Sequence, residues 1–154
     1  MWAAGPSYPE RVTWNGEPLT HPIRVRYSEC DQQGIVFNAN YLVYFDVADT
    51  ELLRHAVGSY GELVERGIDM VVAETSLRFL RPAQFDDELD LEISLTALGT
   101  TSKTSRLRIL RDGELLVEGS MRHVFINPET KQKQAMPDDV RRALEPYLVE
   151  AAAE

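Results

Sequence analysis

The chain has 154 residues, a single cysteine and a formal net charge of −9 at pH 7. That length suits one domain with a buried core that needs no disulfide or metal, and Cys30 alone excludes an internal disulfide. The 25 acidic residues outweigh 16 scattered basic ones, which excludes the basic stripe a nucleic-acid partner requires.

Residues 1–20 hold Gly5, Pro6, Pro9, Gly16 and Pro18 without a sustained period, and are expected to form an extended arm. The opening residues show neither a basic start nor an apolar run of signal-peptide length, and no segment is long and apolar enough to span a membrane. With the lone cysteine, the expected location is cytoplasmic.

Ile23, Val25 and Tyr27 alternate and predict a first strand over 23–27. After a loop over 28–36, Asn38 or Asn40 is a candidate cap for a long helix. There Tyr41, Phe45, Ala48 and Leu52 form an apolar stripe, widened by Leu42, Leu53 and Ala56. Gly58 or Gly61 stops it, and a short helix follows over 61–66.

The second half switches to period two. Val71, Ala73, Thr75, Leu77 and Phe79 share one face of a strand, and Leu89 to Ala97 alternates without a break. Two more strands, 104–111 and 115–126, flank Asp112-Gly113, a hairpin turn signal. Pro137 to Leu144 reads as a last helix, leaving a tail over 148–154. Short turns favour antiparallel neighbours, and the long helix is the one cover such a sheet has. The predicted fold is α+β, one curved antiparallel sheet wrapped around one long central helix.

Chemistry concentrates in Asp31-Gln32-Gln33-Gly34-Ile35-Val36-Phe37-Asn38-Ala39-Asn40-Tyr41. This puts a carboxylate shortly before a helix start, where unpaired amides and the helix dipole attract an anion or a developing oxyanion. Gly34 allows the backbone to approach a ligand closely. An Asp ahead of a helix is also an ordinary capping or turn residue, and both readings stand on the residues alone.

The segment resembles the signature of the 4-hydroxybenzoyl-CoA thioesterase family of hotdog proteins and of the related Tol-Pal-associated acyl-CoA thioesterases. The resemblance continues through Arg78-Phe79-Leu80-Arg81-Pro82-Ala83 and Asp86-Asp87-Glu88-Leu89, covering about residues 22 to 140 of a domain over 21–147. It implies a thioesterase acting on a small acyl- or aroyl-CoA without a cofactor or metal, as a homodimer joined sheet edge to sheet edge and often paired again into a tetramer. It further implies Asp31 as nucleophile or general base and the backbone N–H of Asn38 as the group polarising the thioester carbonyl. Gly34, Phe37, Tyr41 and Val72 are expected along the acyl group, and Ser102, Lys103 and Arg122 against CoA. Relatives usually carry His or Tyr at position 38. A backbone donor tolerates Asn38, whereas a side-chain role does not, so a non-catalytic acyl-CoA-binding or protein-interaction module is the alternative.

Other candidates have plainer readings. Glu29 lies farther from the helix start, and Asp46, Asp49 and Glu51 read as solvated faces of the helix. His21, His55 and His123 lack metal-ligand spacing, with His123 read as a sheet-surface residue. Cys30 has no local His and reads as a small buried residue; no Gly-x-Ser-x-Gly is present. A hotdog dehydratase would need a His paired with a carboxylate near the central helix, and His55 stands at its wrong end.

Overall fold

A computed structural model describes residues 18–149. Most of the expected N-terminal arm and residues 150–154 of the expected tail lie outside these. In chain order the elements are β1 (Leu19–Arg24), α1 (Asn40–Val57), α2 (Tyr60–Glu65), β2 (Asp69–Phe79), β3 (Glu88–Leu98), β4 (Ser102–Arg111), β5 (Glu114–Ile126) and α3 (Asp138–Leu144). Five strands form one antiparallel sheet in the order β1-β3-β4-β5-β2.

The tight turns work as expected. Asp112 and Gly113 both take positive φ, 50° and 80°, the geometry of a two-residue hairpin loop between β4 and β5. The connection from β2 to β3 does not: residues 80–87 carry the chain away, so β2 pairs with β5 instead and forms a sheet edge.

The first strand begins and ends earlier than predicted. Past Arg24 the chain bends into a single 3-10 turn, Tyr27–Glu29, because the Glu29 carboxylate accepts from the Arg26 amide and from its Nε at 2.7 Å. In β2 the predicted alternation fails at Ala73. A bulge lets Val72 pair with His123 and Glu74 with Arg122, so two β2 steps match one on β5. Met70 and Val72 therefore face the helix side, where Val71 and Ala73 were expected.

Against the sheet, α1 buries Tyr41, Phe45, Ala48 and Leu52 as its stripe requires, and Leu89, Leu91, Ile93, Leu107, Ile109 and Phe125 complete the core. Leu42 stays exposed, at the border of that stripe. Gly58, at φ 102°, ends the helix. Two carboxylates expected in solvent are buried: Asp49 and Glu51, the latter paired with Arg54 one turn on. The predicted tail is tied down at its start, where the Val149 amide donates to the Leu95 carbonyl at 2.8 Å, and Leu148 bridges Leu95 in parallel.

Candidate active site

The segment that leads into α1 is a small hairpin. Cys30 pairs with Val36, the Asp31 amide donates to the Ile35 carbonyl, and the Phe37 amide donates to the Glu29 carbonyl, both at 2.9 Å. Its tip turns at Gly34, whose φ of +75° strains any other residue and whose amide donates to the Asp31 carbonyl. The Asp31 carboxylate is half-buried, and its Oδ1 accepts the Gln33 amide at 2.8 Å, which fixes its rotamer in an Asx turn. Asp31 and Asn38 thus belong to the two arms of one rigid element.

At the helix start neither Asn caps by side chain. Asn40 is the first helical residue, and its Nδ2 donates back to the Glu29 carbonyl at 2.8 Å, locking hairpin to helix. The amides of Asn40, Tyr41 and Leu42 are taken by the carbonyls of Phe37, Asn38 and Ala39. Among the described residues, the amides of Asn38 and Ala39 meet no acceptor, and both residues are exposed. Two donors therefore stand open where the helix dipole adds positive potential.

Behind the hairpin lies the Pro82–Asp87 loop. The Val36 amide donates to the Ala83 carbonyl at 2.9 Å, and the Ala83 amide donates to the Tyr41 hydroxyl at 3.2 Å. The Asp87 carboxylate accepts both the Gln84 amide and Arg111, at 2.8 and 2.7 Å, and Arg111 also donates to the Pro82 carbonyl. Tyr41, expected beside the acyl group, is instead a buried strut. Phe37 and Val72 are about half exposed and free to meet a ligand.

The rival acids and nucleophiles are accounted for. Burial works against the Glu29 carboxylate, but Tyr44 and Arg26 outweigh it and hold it below the usual range. Burial, then the carboxylates of Glu29, Asp31 and Asp87, pushes the Cys30 thiol up, which suppresses the thiolate.

The expected CoA residues separate. Ser102 and Arg122 lie on the outer sheet face, Arg122 beside Glu74 at 3.4 Å. Lys103 points the other way and is 0% exposed, its Nζ donating to Asp49 Oδ1 at 2.6 Å. It is enclosed and does not reach a nucleotide, because strand alternation turns it inward. His123, its register partner on β5, is likewise buried rather than on the surface. Sequence reasoning missed this Asp49–Lys103–His123 group; inward parity with Ser105 and Leu107 along β4 was the signal that pointed to it. Among the described residues no cluster of His, Cys, Asp or Glu could hold a metal, and no helix is long and apolar enough to cross a membrane.

A model of the thioesterase-like superfamily matches residues 25–144. The chain belongs to that superfamily. It is 30% identical over 120 residues to the acyl-CoA thioester hydrolase YbgC of Escherichia coli O6:H1, covering 77% of this chain and 90% of that protein. It is 29% identical over 134 residues to a 1,4-dihydroxy-2-naphthoyl-CoA hydrolase of Synechococcus sp. WH7803, covering 82% and 88%. A hypothetical protein of Thermus thermophilus superimposes with a TM-score of 0.79 at 33% identity, covering 83% of this chain and 98% of the other. The gentisyl-coenzyme A thioesterase BH1999 shares the fold, with a TM-score of 0.74, 24% identity and coverage of 82% and 99%. The superfamily's hotdog architecture is the one predicted, a curved antiparallel sheet with a long helix on it.

Proposed function

We propose that the protein hydrolyses acyl-CoA thioesters, with Asp31 supplying the carboxylate that attacks the carbonyl or activates water. What carries this reading is the pairing, within one hairpin, of a rotamer-fixed Asp31 with two open amides at the start of α1. As the carbonyl carbon becomes tetrahedral, its oxygen gains charge, and the amides of Asn38 and Ala39 are the donors that stabilise it. The thiolate of CoA is a good leaving group, so the carboxylate and the donors suffice. The relatives named for acyl-CoA hydrolysis support the same assignment. A backbone donor also makes Asn38 compatible with activity.

The functional unit is a homodimer paired through β2. This 11-residue strand is an open sheet edge that exposes Val71, Val72 and Phe79, and Phe37 near the hairpin is exposed too. A second copy would cover that edge and wall the open side of the Asp31 hairpin. Ser102 and Arg122 remain the candidate contacts for CoA.

The test is thiol release across a panel of acyl-CoAs, with light scattering for the oligomer. Multiple turnovers that Asp31→Ala abolishes are the expected result. Absence of turnover in the wild type, or full activity in Asp31→Ala, would overturn the assignment in favour of an acyl-CoA-binding module.

A further inference from the structure

Helices commonly cover their first free amides with a side-chain oxygen at the N-cap. Here the N-cap is Ala39, in helical conformation at φ −66° and ψ −23°, and it has no side-chain oxygen to offer. The turn before α1 closes on the main chain instead, the Asn40 amide donating to the Phe37 carbonyl at 2.9 Å. That bond shapes the turn but does not orient it against the hairpin that carries Asp31.

One oxygen does orient it. The Glu29 carbonyl accepts the Phe37 amide at 2.9 Å and Asn40 Nδ2 at 2.8 Å. A carbonyl only accepts, and it has two lone pairs, so the Asn40 side chain presents its NH2 group there. The first and last residues of the turn are thus clamped to a single atom. The two residues between them, Asn38 and Ala39, are the ones whose amides meet no acceptor among the described residues. The clamp point is itself fixed: Glu29 is 8% exposed, its amide donates to the Arg26 carbonyl at 3.0 Å, and its carboxylate accepts Arg26 Nε at 2.7 Å. Asp31 follows two residues later, so the carboxylate and the open amides are both held relative to Glu29.

We propose that Asn40 is a positioning residue for the reaction: by tying the end of the turn to the Glu29 carbonyl, it keeps the Asn38 and Ala39 amides aimed at the thioester carbonyl that Asp31 serves. This rests on the thioesterase reading above. Asn40 acts through those two amides, and few side chains can replace it. Alanine has nothing to donate, and aspartate has the same shape but only accepts, so it repels the Glu29 carbonyl. In either variant that carbonyl keeps the Phe37 amide, so no buried group is left unpaired and the fold persists. What is lost is the aim of donors that act on the developing oxyanion, a loss felt in the transition state rather than in substrate binding.

The experiment joins steady-state thiol release from acetyl-CoA and benzoyl-CoA to infrared spectra of their bound ketone analogues, which carry a methylene in place of the sulfur and an isotope-labelled carbonyl. The proteins are the wild type, Asn40→Ala and Asn40→Asp. In Asn40→Ala kcat should fall about 10–100-fold, as donors displaced but not deleted would give, with KM within about twofold. The ketone stretch should lie below its aqueous position in the wild type and return towards it in both variants. A partly unfolded sample loses band intensity without moving the band. Aspartate in a first turn suits the helix dipole, so Asn40→Asp should melt no lower than the wild type while losing kcat, which a purely structural role does not allow. Wild-type kcat in Asn40→Ala, a KM that rises as far as kcat falls, or a band at one position in all three proteins overturns the proposal. Should Asn40→Ala fail to fold, Asn40→Asp decides by the same band. If no thioester turns over in the wild type, the thioesterase reading fails, while a lowered band that the variants relax still upholds this one and an unmoved band sinks it.

Discussion

The amide of Ala83 donates to the hydroxyl of Tyr41 across 3.2 Å, joining the loop after β2 to the first turn of α1. Ala83 is fully buried, and its carbonyl holds the Val36 amide of the hairpin that carries Asp31. Tyr41→Phe removes the acceptor and leaves a buried N–H unpaired, at a cost of about 1–3 kcal/mol. A lowered denaturation midpoint and a reduced kcat are expected, since the hairpin loses its backing. An unchanged midpoint would show that this contact does not brace the site.

Asp31→Asn keeps the shape of the side chain and its bond to the Gln33 amide while removing the negative charge. The expected loss is about 10²–10⁴-fold in kcat, the usual worth of a positioned acid or base, with the melting curve little altered. Steady-state thiol release together with thermal unfolding checks both halves.

Lys103 and Asp49 form an enclosed ion pair, so removing one partner strands the other charge. Lys103→Met alone should cost about 3–5 kcal/mol, and Lys103→Met with Asp49→Leu should recover much of it. Equilibrium unfolding of the four proteins in the cycle gives the coupling.

Acid lowers stability in two stages. Folded His123 holds its proton less tightly than the unfolded chain, so below its ordinary 6.5 the unfolded state binds more protons and stability falls with falling pH. Burial opposes ionisation of Asp49, but Lys103, His123 and Ser105 prevail and keep its carboxyl below 3.8; its contribution is complete above that value and lost in stronger acid. Melting temperatures measured from pH 7.5 to 3 should show both declines, and His123→Asn should flatten the first. A flat profile between pH 6.5 and 5 in the wild type would contradict the buried neutral imidazole.

At Gly119 a Cβ would run into the carbonyl oxygen of Ser76 and the side chain of Leu77. Gly119→Ala should push β2 away from β5, costing about 1–3 kcal/mol as overpacking does. If two copies join through β2, the same variant should also shift the dimer towards monomer in light scattering.

Much of the sheet could be read from the chain because β3 alternates cleanly and Asp112-Gly113 forces a hairpin; both are local signals. The Asp31–Tyr41 pattern likewise places a carboxylate just ahead of a helix start, where the structure has one. What escaped reading depends on partners far apart in sequence. Asp49 reads as a solvated charge and Lys103 as a CoA contact until residues 54 positions apart meet and neutralise each other. Tyr41 looked like a pocket wall because nothing nearby revealed Ala83 as its partner. The phase of β2 escaped for another reason: a single extra residue at Ala73 shifts the alternation, and Val71 through Phe79 reads as one face when it is two.

That extra residue has a consequence for any strand laid along the open margin of the sheet. From Glu74 to Phe79 the backbone offers a regular run of donors and acceptors, but the kink at Ala73 breaks their spacing. A newcomer can zip along the C-terminal part and then loses register, so the irregularity caps the length of the ladder and discourages runaway, fibre-like stacking.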